Sequence, residues 1–291
     1  MKKKKISVFM IINFTILITL GLVTLLPVLH VFSKALSGEG PVIAGKVIFW
    51  PVQFQLGTVL YVLSQPEFKN SFGVSVFVTI VGTLIAMLLT VTTAYPLSKP
   101  TLRGRKPILY IFVFVMLFSA GMVPNYILYR SLNLTNTIWA LVFSGAFSVY
   151  NMFLVKNFFE ALPETIEEAA RIDGASNMTI LFRIVLPMSM PVLATVCLFY
   201  GVSYWNNYFS GVLYITKASL KPLQQYLYDL IKNALSTVDA EGVVDIDTAM
   251  NLTGEAVRSA TILVSTVPIL ILYPFLQRYF VKGITVGSVK G

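Results

Sequence analysis

The chain has 291 residues, of which 56% are hydrophobic and 12% charged, with a mean hydropathy of +0.77. Soluble domains carry about 25% charged residues, so a water-solvated globule is excluded and the bilayer is the expected solvent. The formal charge of +9 does not indicate nucleic acid, because the basic residues gather at the edges of apolar runs and not along a polar face.

The first expected element is the apolar run 8–32, preceded by Lys2, Lys3, Lys4 and Lys5. It begins like a secretory leader, but the run is long and no clear small-x-small cleavage site follows, so it is expected to remain as a membrane helix. His30, the one histidine, sits near the outer edge of this run. With Cys197 as the one cysteine, there is no disulfide and no set of residues with metal-ligand spacing. Residues 33–70 form a first long loop. Within it, Gly40 to Val47 imitates a phosphate-binding loop, but Val47 has no oxygen for magnesium where Ser or Thr is required, and no strand precedes it.

Five further apolar runs follow, at 71–97, 108–129, 137–155, 187–215 and 260–280, each long enough to cross about 30 Å of hydrocarbon as a helix. The expected fold class is therefore an all-α membrane protein with six transmembrane helices. Its two parts are residues 1–70, a first helix with an extracytoplasmic loop, and residues 71–291, a five-helix core. The triplets at Asn133 and Asn251 match the glycosylation pattern, which is too short to carry weight.

Between the fourth and fifth runs, residues 161–187 are too polar to cross a membrane and are patterned as two short helices. Pro163 suits a first helical position, and Glu164, Glu167 and Glu168 place negative charge near the positive helix end. Gly174 supplies a left-handed stop, Asp173 or Ser176 caps the next helix, and Pro187 breaks it after the apolar face of Ile180, Leu181, Ile184 and Val185. A helix-turn-helix at the membrane surface is expected.

The residues Glu168, Ala169, Ala170, Asp173, Gly174 and Ala175, followed by Phe182, Ile184, Leu186, Pro187 and Pro191, resemble the EAA loop of permease subunits in binding-protein-dependent ABC importers. Gly121 to Pro124, Leu132 to Thr137, Asn157 to Pro163, the set Trp205, Asn206, Tyr208 and Phe209, and the set Tyr273, Pro274, Gln277, Phe280 and Gly283 are similar to other signatures of that family, so the resemblance covers most of the chain from residue 71. Within the family, the carbohydrate-uptake permeases are most similar. The resemblance implies the type I ABC importer permease fold and a non-catalytic chain that binds no cofactor itself. It implies a second homologous permease, two cytoplasmic ATPase subunits holding ATP and Mg, and an extracytoplasmic solute-binding protein. Glu168 to Ala175 would then couple ATPase closure to the membrane helices, although Glu168 and Asp173 can equally serve as helix caps.

The fifth run carries the polar and aromatic cluster Tyr200, Ser203, Tyr204, Trp205, Asn206, Asn207 and Tyr208. Aromatic faces stack on sugar rings and amides bond hydroxyls, so one reading is a saccharide path; the other is that the two asparagines hold helices together. No run contains Asp, Glu, Lys or Arg well inside it. That disfavours an ion-coupled secondary carrier, the second class considered, and fits a polar uncharged cargo. An intramembrane protease, the third class, lacks a Ser-His or paired-carboxylate constellation.

Residues 216–259 form the second long outer segment. Leu220, Leu223, Leu227, Leu230 and Ile231 recur at helical spacing and predict an amphipathic helix, with 236–254 as an exposed acidic loop; the resemblance implies that this loop reaches toward the binding protein. The resemblance places the tail from Gln277 to Gly291 against the ATPases. With the amino terminus inside, fourteen of the 22 Lys and Arg residues fall on the cytoplasmic side, among them Lys99, Arg103, Arg105, Lys106 and Lys156. This bias favours a multi-pass chain in the bacterial cytoplasmic (inner) membrane with both termini in the cytoplasm.

Overall fold

The computed structural model of the chain describes residues 8–239 and 254–287. Fourteen helical segments matter here. They are α1 (Val8–Ala35), α2 (Glu39–Ile43), α3 (Gly57–Ser64), α4 (Pro66–Ser98), α5 (Arg105–Leu117), α6 (Met122–Ser131) and α7 (Ile138–Phe143). They continue with α8 (Val149–Glu160), α9 (Glu164–Ile172), α10 (Asn177–Met188), α11 (Met190–Trp205), α12 (Phe209–Tyr214), α13 (Leu223–Asp239) and α14 (Gly254–Gly287). No strand occurs among the described residues.

Three helices, α1, α4 and α14, are each long and apolar enough to cross a membrane, and counting each bent pair as one span gives five. The expected run 108–129 is not one helix. It divides at 118–121 into α5 and α6, bent by 112°, where Gly121 takes φ +85° and Pro124 follows in the first turn of α6. Run 137–155 is shared between α7 and α8, with an irregular stretch around Gly145. Run 187–215 ends its long helix at Trp205 and resumes as α12. The expected break at Pro187 falls two residues later. A π-turn over Leu181–Val185 widens the helix just ahead of the proline, whose ring would crowd a regular turn, and the 84° bend comes between Met188 and Met190.

The chain separates into two compact units. One comprises Met1–Phe68 with Leu227–Pro268. Its α1 exposes apolar side chains such as Phe9, Phe14, Leu17 and Val23, a surface suited to lipid. Next to it, His30 Nδ1 hydrogen-bonds with the Ile48 carbonyl at 2.6 Å and Ser33 donates to Phe49 at 2.7 Å, while Lys34 pairs with Glu255. Gly45, in the Gly40 to Val47 stretch, makes a left-handed turn at φ +64°, and Val47 is buried against Val42 and Ala256.

The other unit comprises Lys69–Tyr226 with Ile269–Gly291. Its core is built from Val78, Ala86 and Ala94 of α4, Leu141 of α7, Met152, Val155 and Phe159 of α8, Ile180, Leu181 and Val185 of α10, and Val196 and Tyr200 of α11. In lipid such a core is held by close packing more than by expulsion of water, so small residues at helix contacts matter. The amphipathic helix is present as α13, with Leu220 in a single 3₁₀ turn ahead of it. Most of the expected loop 236–254, from residue 240 to 253, lies outside the described residues, as do residues 288–291 of the tail.

Candidate functional site

The segment 161–187 folds as two helices joined by a tight turn. Pro163 occupies the residue before α9 instead of its first position, in extended conformation, and Glu164 and Glu167 lie in the first turn. The turn after α9 is closed by main chain alone: Ala175 N–H donates to Ala170 O at 2.9 Å and Gly174 N–H to Arg171 O at 3.0 Å. These two bonds form a Schellman motif, and Gly174 sits at its left-handed position with φ +80°. The question of the next cap is resolved in favour of Ser176, whose hydroxyl accepts from Thr179 N–H at 3.2 Å. Asp173 ends α9 and caps nothing with its side chain.

The two faces of this elbow differ. Ala170 and Ala175 are half-buried and pack on the core, where their small side chains permit close approach. Glu168, Ala169, Asp173 and Gly174 are exposed on the opposite face, together with Ile172, which is 87% exposed. Of the three glutamates, Glu167 turns inward. It is 7% exposed, pairs with Lys99 at the end of α4, and lies 3.8 Å from Arg171 one turn along its own helix. A carboxylate this buried requires such partners. Sequence reasoning treated Glu167 as one of several helix-end charges and missed its role as the clamp that fastens α9 to α4. Nearby, Glu160 pairs with Arg105 and, at 2.7 Å, with Lys156, which tethers α8 to the start of α5.

The cluster on the fifth run divides in a similar way. Tyr200 and Tyr204 point into the bundle, at 3% and 5% exposure. The Tyr200 hydroxyl lies 2.7 Å from Thr90 Oγ1 and accepts from Ser148 N–H at 3.0 Å. Tyr204 donates to the Val142 carbonyl at 2.6 Å, with its ring against the backbones of Gly82 and Gly145. Trp205 is buried and meets Phe72 edge-on. Ser203, Asn206 and Tyr208 are exposed in this chain, whereas Asn207 is half-buried and bonds Ser210 through both its oxygen, to Ser210 N–H at 3.1 Å, and its amide nitrogen, to Ser210 Oγ at 2.9 Å. The asparagine pair thus stands at the break between α11 and α12. Asn207 caps α12, and Asn206 presents its amide outward.

A second brace went unread in the sequence. Asn136 takes φ +59°, and its side-chain oxygen accepts from Thr216 N–H at 2.7 Å, Thr216 Oγ1 at 2.8 Å and Lys217 N–H at 3.2 Å. Beside it, Tyr129 stacks on Tyr214 with ring centroids 4.3 Å apart. The Asn in a short loop ahead of a helix was the available signal, since Asn tolerates left-handed backbone.

Comparison with known proteins adds an independent line. The pattern of the family described as binding-protein-dependent transport system inner membrane component matches residues 5–286. The chain is 41% identical to Protein LplC of Bacillus subtilis over 98% of this chain and 95% of that one. It is 37% identical to the polygalacturonan/rhamnogalacturonan transport system permease protein YtcP of the same organism, over 99% of this chain and 100% of that one. Among solved structures, it is similar to a chain of a bacterial ABC transporter involved in the import of the acidic polysaccharide alginate. That match has a TM-score of 0.86 and 32% identity, and covers 96% of this chain and 99% of the other.

Proposed function

Since the chain belongs to the family of binding-protein-dependent transport system inner membrane components, we propose that it is one of two permease subunits of an ATP-driven importer for an oligosaccharide. The observation that carries the mechanism is the elbow at 161–187. It is clamped to α4 through Glu167 and Lys99, and it displays Glu168, Ala169, Asp173 and Ile172 outward. A surface of that kind suits docking by a separate cytoplasmic ATPase. When two ATPase subunits close on ATP and Mg, Glu168 to Ala175 moves with them, and the clamp passes the motion to α4 as a rigid lever.

The chain crosses the membrane six times in this reading, with 137–155 as the fourth crossing, made of α7 and α8, and with 1–70 set apart from a core at 71–291. Both termini lie in the cytoplasm, as the Lys and Arg bias supports. The tail of α14 reaches the ATPases, and the outer segment 216–259 reaches a solute-binding protein. The cargo is a saccharide, as the polygalacturonan/rhamnogalacturonan and alginate transport of two similar proteins supports. The charge-poor spans favour an uncharged solute; a cargo with carboxylates, like the acidic polysaccharide of the similar alginate importer, would have them met by the partner permease or the binding protein. Along the path, Ser203, Asn206 and Tyr208 face the sugar, Asn207 fixes the break that presents them, and Tyr200, Tyr204 and Trp205 hold the wall from behind.

Replacing Glu168 and Gly174 together tests the lever. In the reconstituted importer, the E168A/G174P pair is expected to retain ATP hydrolysis while losing cargo uptake. Uptake per ATP equal to wild type would overturn the role assigned to the elbow.

A further inference from the structure

Where α4 ends, the chain turns through Lys99 to Lys106 before α5, and a cavity of about 450 Å³ opens between this turn, the end of α4, and α9 and α10. That volume is within the range of sites for small molecules, about 300 to 1,000 Å³. Its lining mixes the apolar side chains of Pro96, Leu102, Met178 and Leu181 with the cations of Lys99, Arg103 and Arg171, holds no carboxylate, and reaches Thr92 one helical turn back along α4 from Pro96.

Glu167, outside the lining, engages Lys99 and Arg171 but leaves the group with an excess of positive charge. Arg103 is exposed and makes no ion pair among the described residues. Tyr95 also lines the cavity. It is 8% exposed, and its hydroxyl interacts with Glu167 and Arg171, so it belongs to the same charged group.

The geometry points to a site for the phosphate headgroup of an anionic phospholipid, with Arg103 and Arg171 at the phosphate and the acyl chains along Pro96 and Thr92. Free phosphate would satisfy the cations and leave the apolar side chains of the lining unused, whereas a lipid meets both. Basic pockets at the cytoplasmic ends of membrane helices suit such headgroups. The leaflet rests on the cytoplasmic placement of the elbow proposed above. Because Lys99 and Arg171 also hold Glu167, the lipid shares partners with the clamp.

The test uses the whole importer in nanodiscs of phosphatidylcholine with increasing phosphatidylglycerol, with retained lipid counted by native mass spectrometry. The R103Q variant is expected to lose phosphatidylglycerol about fivefold in affinity. K106Q, which removes a neighbouring charge outside the cavity, is expected to keep it. Equal loss in R103Q and K106Q would reduce the effect to general surface attraction and overturn the site, as would full retention in R103Q. Inorganic phosphate binding to lipid-stripped complex more tightly than the lipid, with the same dependence on Arg103, would overturn the amphiphile. Normal lipid retention in R103Q alongside an uncoupled E168A/G174P pair would reject this site and leave the elbow's role standing; the opposite pair of results would do the reverse.

Discussion

Gly82, midway along α4, is where packing can be tested most sharply. A Cβ built there would lie 2.6 Å from Tyr204 Cζ and 2.8 Å from two further ring carbons, well inside contact distance. The ring cannot swing away, because its hydroxyl is bonded to the Val142 carbonyl and its far side meets Gly145, where a Cβ would stand 3.1 Å off. In the G82A variant, either α4 or α11 must shift. Overpacking of this kind costs about 1 to 3 kcal/mol, and the rigid ring argues for the upper half of that range. Thermal unfolding of the purified complex, followed by tryptophan fluorescence, should show G82A destabilised. Y204L should be destabilised too, through lost packing and the lost hydrogen bond to Val142. In the G82A/Y204L pair, the clash is gone, so the two effects should fall short of additivity by about 1 kcal/mol or more. Wild-type stability in G82A, or strict additivity in the double variant, would refute the claim that these two residues define the approach of α4 to α11.

Two more outcomes follow from the braces around this core. Replacing Glu167 by Ala leaves Lys99, 20% exposed at its side chain, without its partner; the loss should be roughly 2 kcal/mol, below the 3 to 5 typical of fully buried pairs, and limited proteolysis should cut within 161–187 sooner. For Asn136, N136A loses an acceptor for three donors and strains a left-handed residue, so it should destabilise by about 2 to 3 kcal/mol. N136D, which keeps the acceptor, should recover most of that in a thermal melt, and N136G only the backbone part.

The long apolar runs were readable because length and hydropathy alone determine them, and α1, α4 and α14 appear near their expected places. The breaks were not, although their residues were in view. In the sequence Gly121 and Pro124 read as family-like letters and not as a hinge, and Asn206 and Asn207 as sugar ligands or interhelical bonds and not as a helix end. Hydropathy averages over a window wider than a four-residue gap, so two helices at 112° read as one. The elbow was legible in outline, since Gly174 and the alanines speak through local geometry. Which of Glu167 and Glu168 faces inward was not, because it is decided by Lys99, 68 positions away in the chain. Likewise, Tyr200 and Tyr204 looked alike to Ser203 in composition, and only their partners on α4 and around Val142 and Ser148 separate wall from surface.

The Schellman turn at Gly174 uses backbone groups to end α9, so the carboxylates of Glu168 and Asp173 are released from any duty in holding its shape. Form and outward chemistry are thereby uncoupled at this bend. Substitution at 168 or 173 can rewrite the surface this bend displays while the curve of the main chain stays as it was. On the docking role proposed for the elbow, single side-chain changes there would alter its fit to a motor without altering the bend, provided the glycine remains.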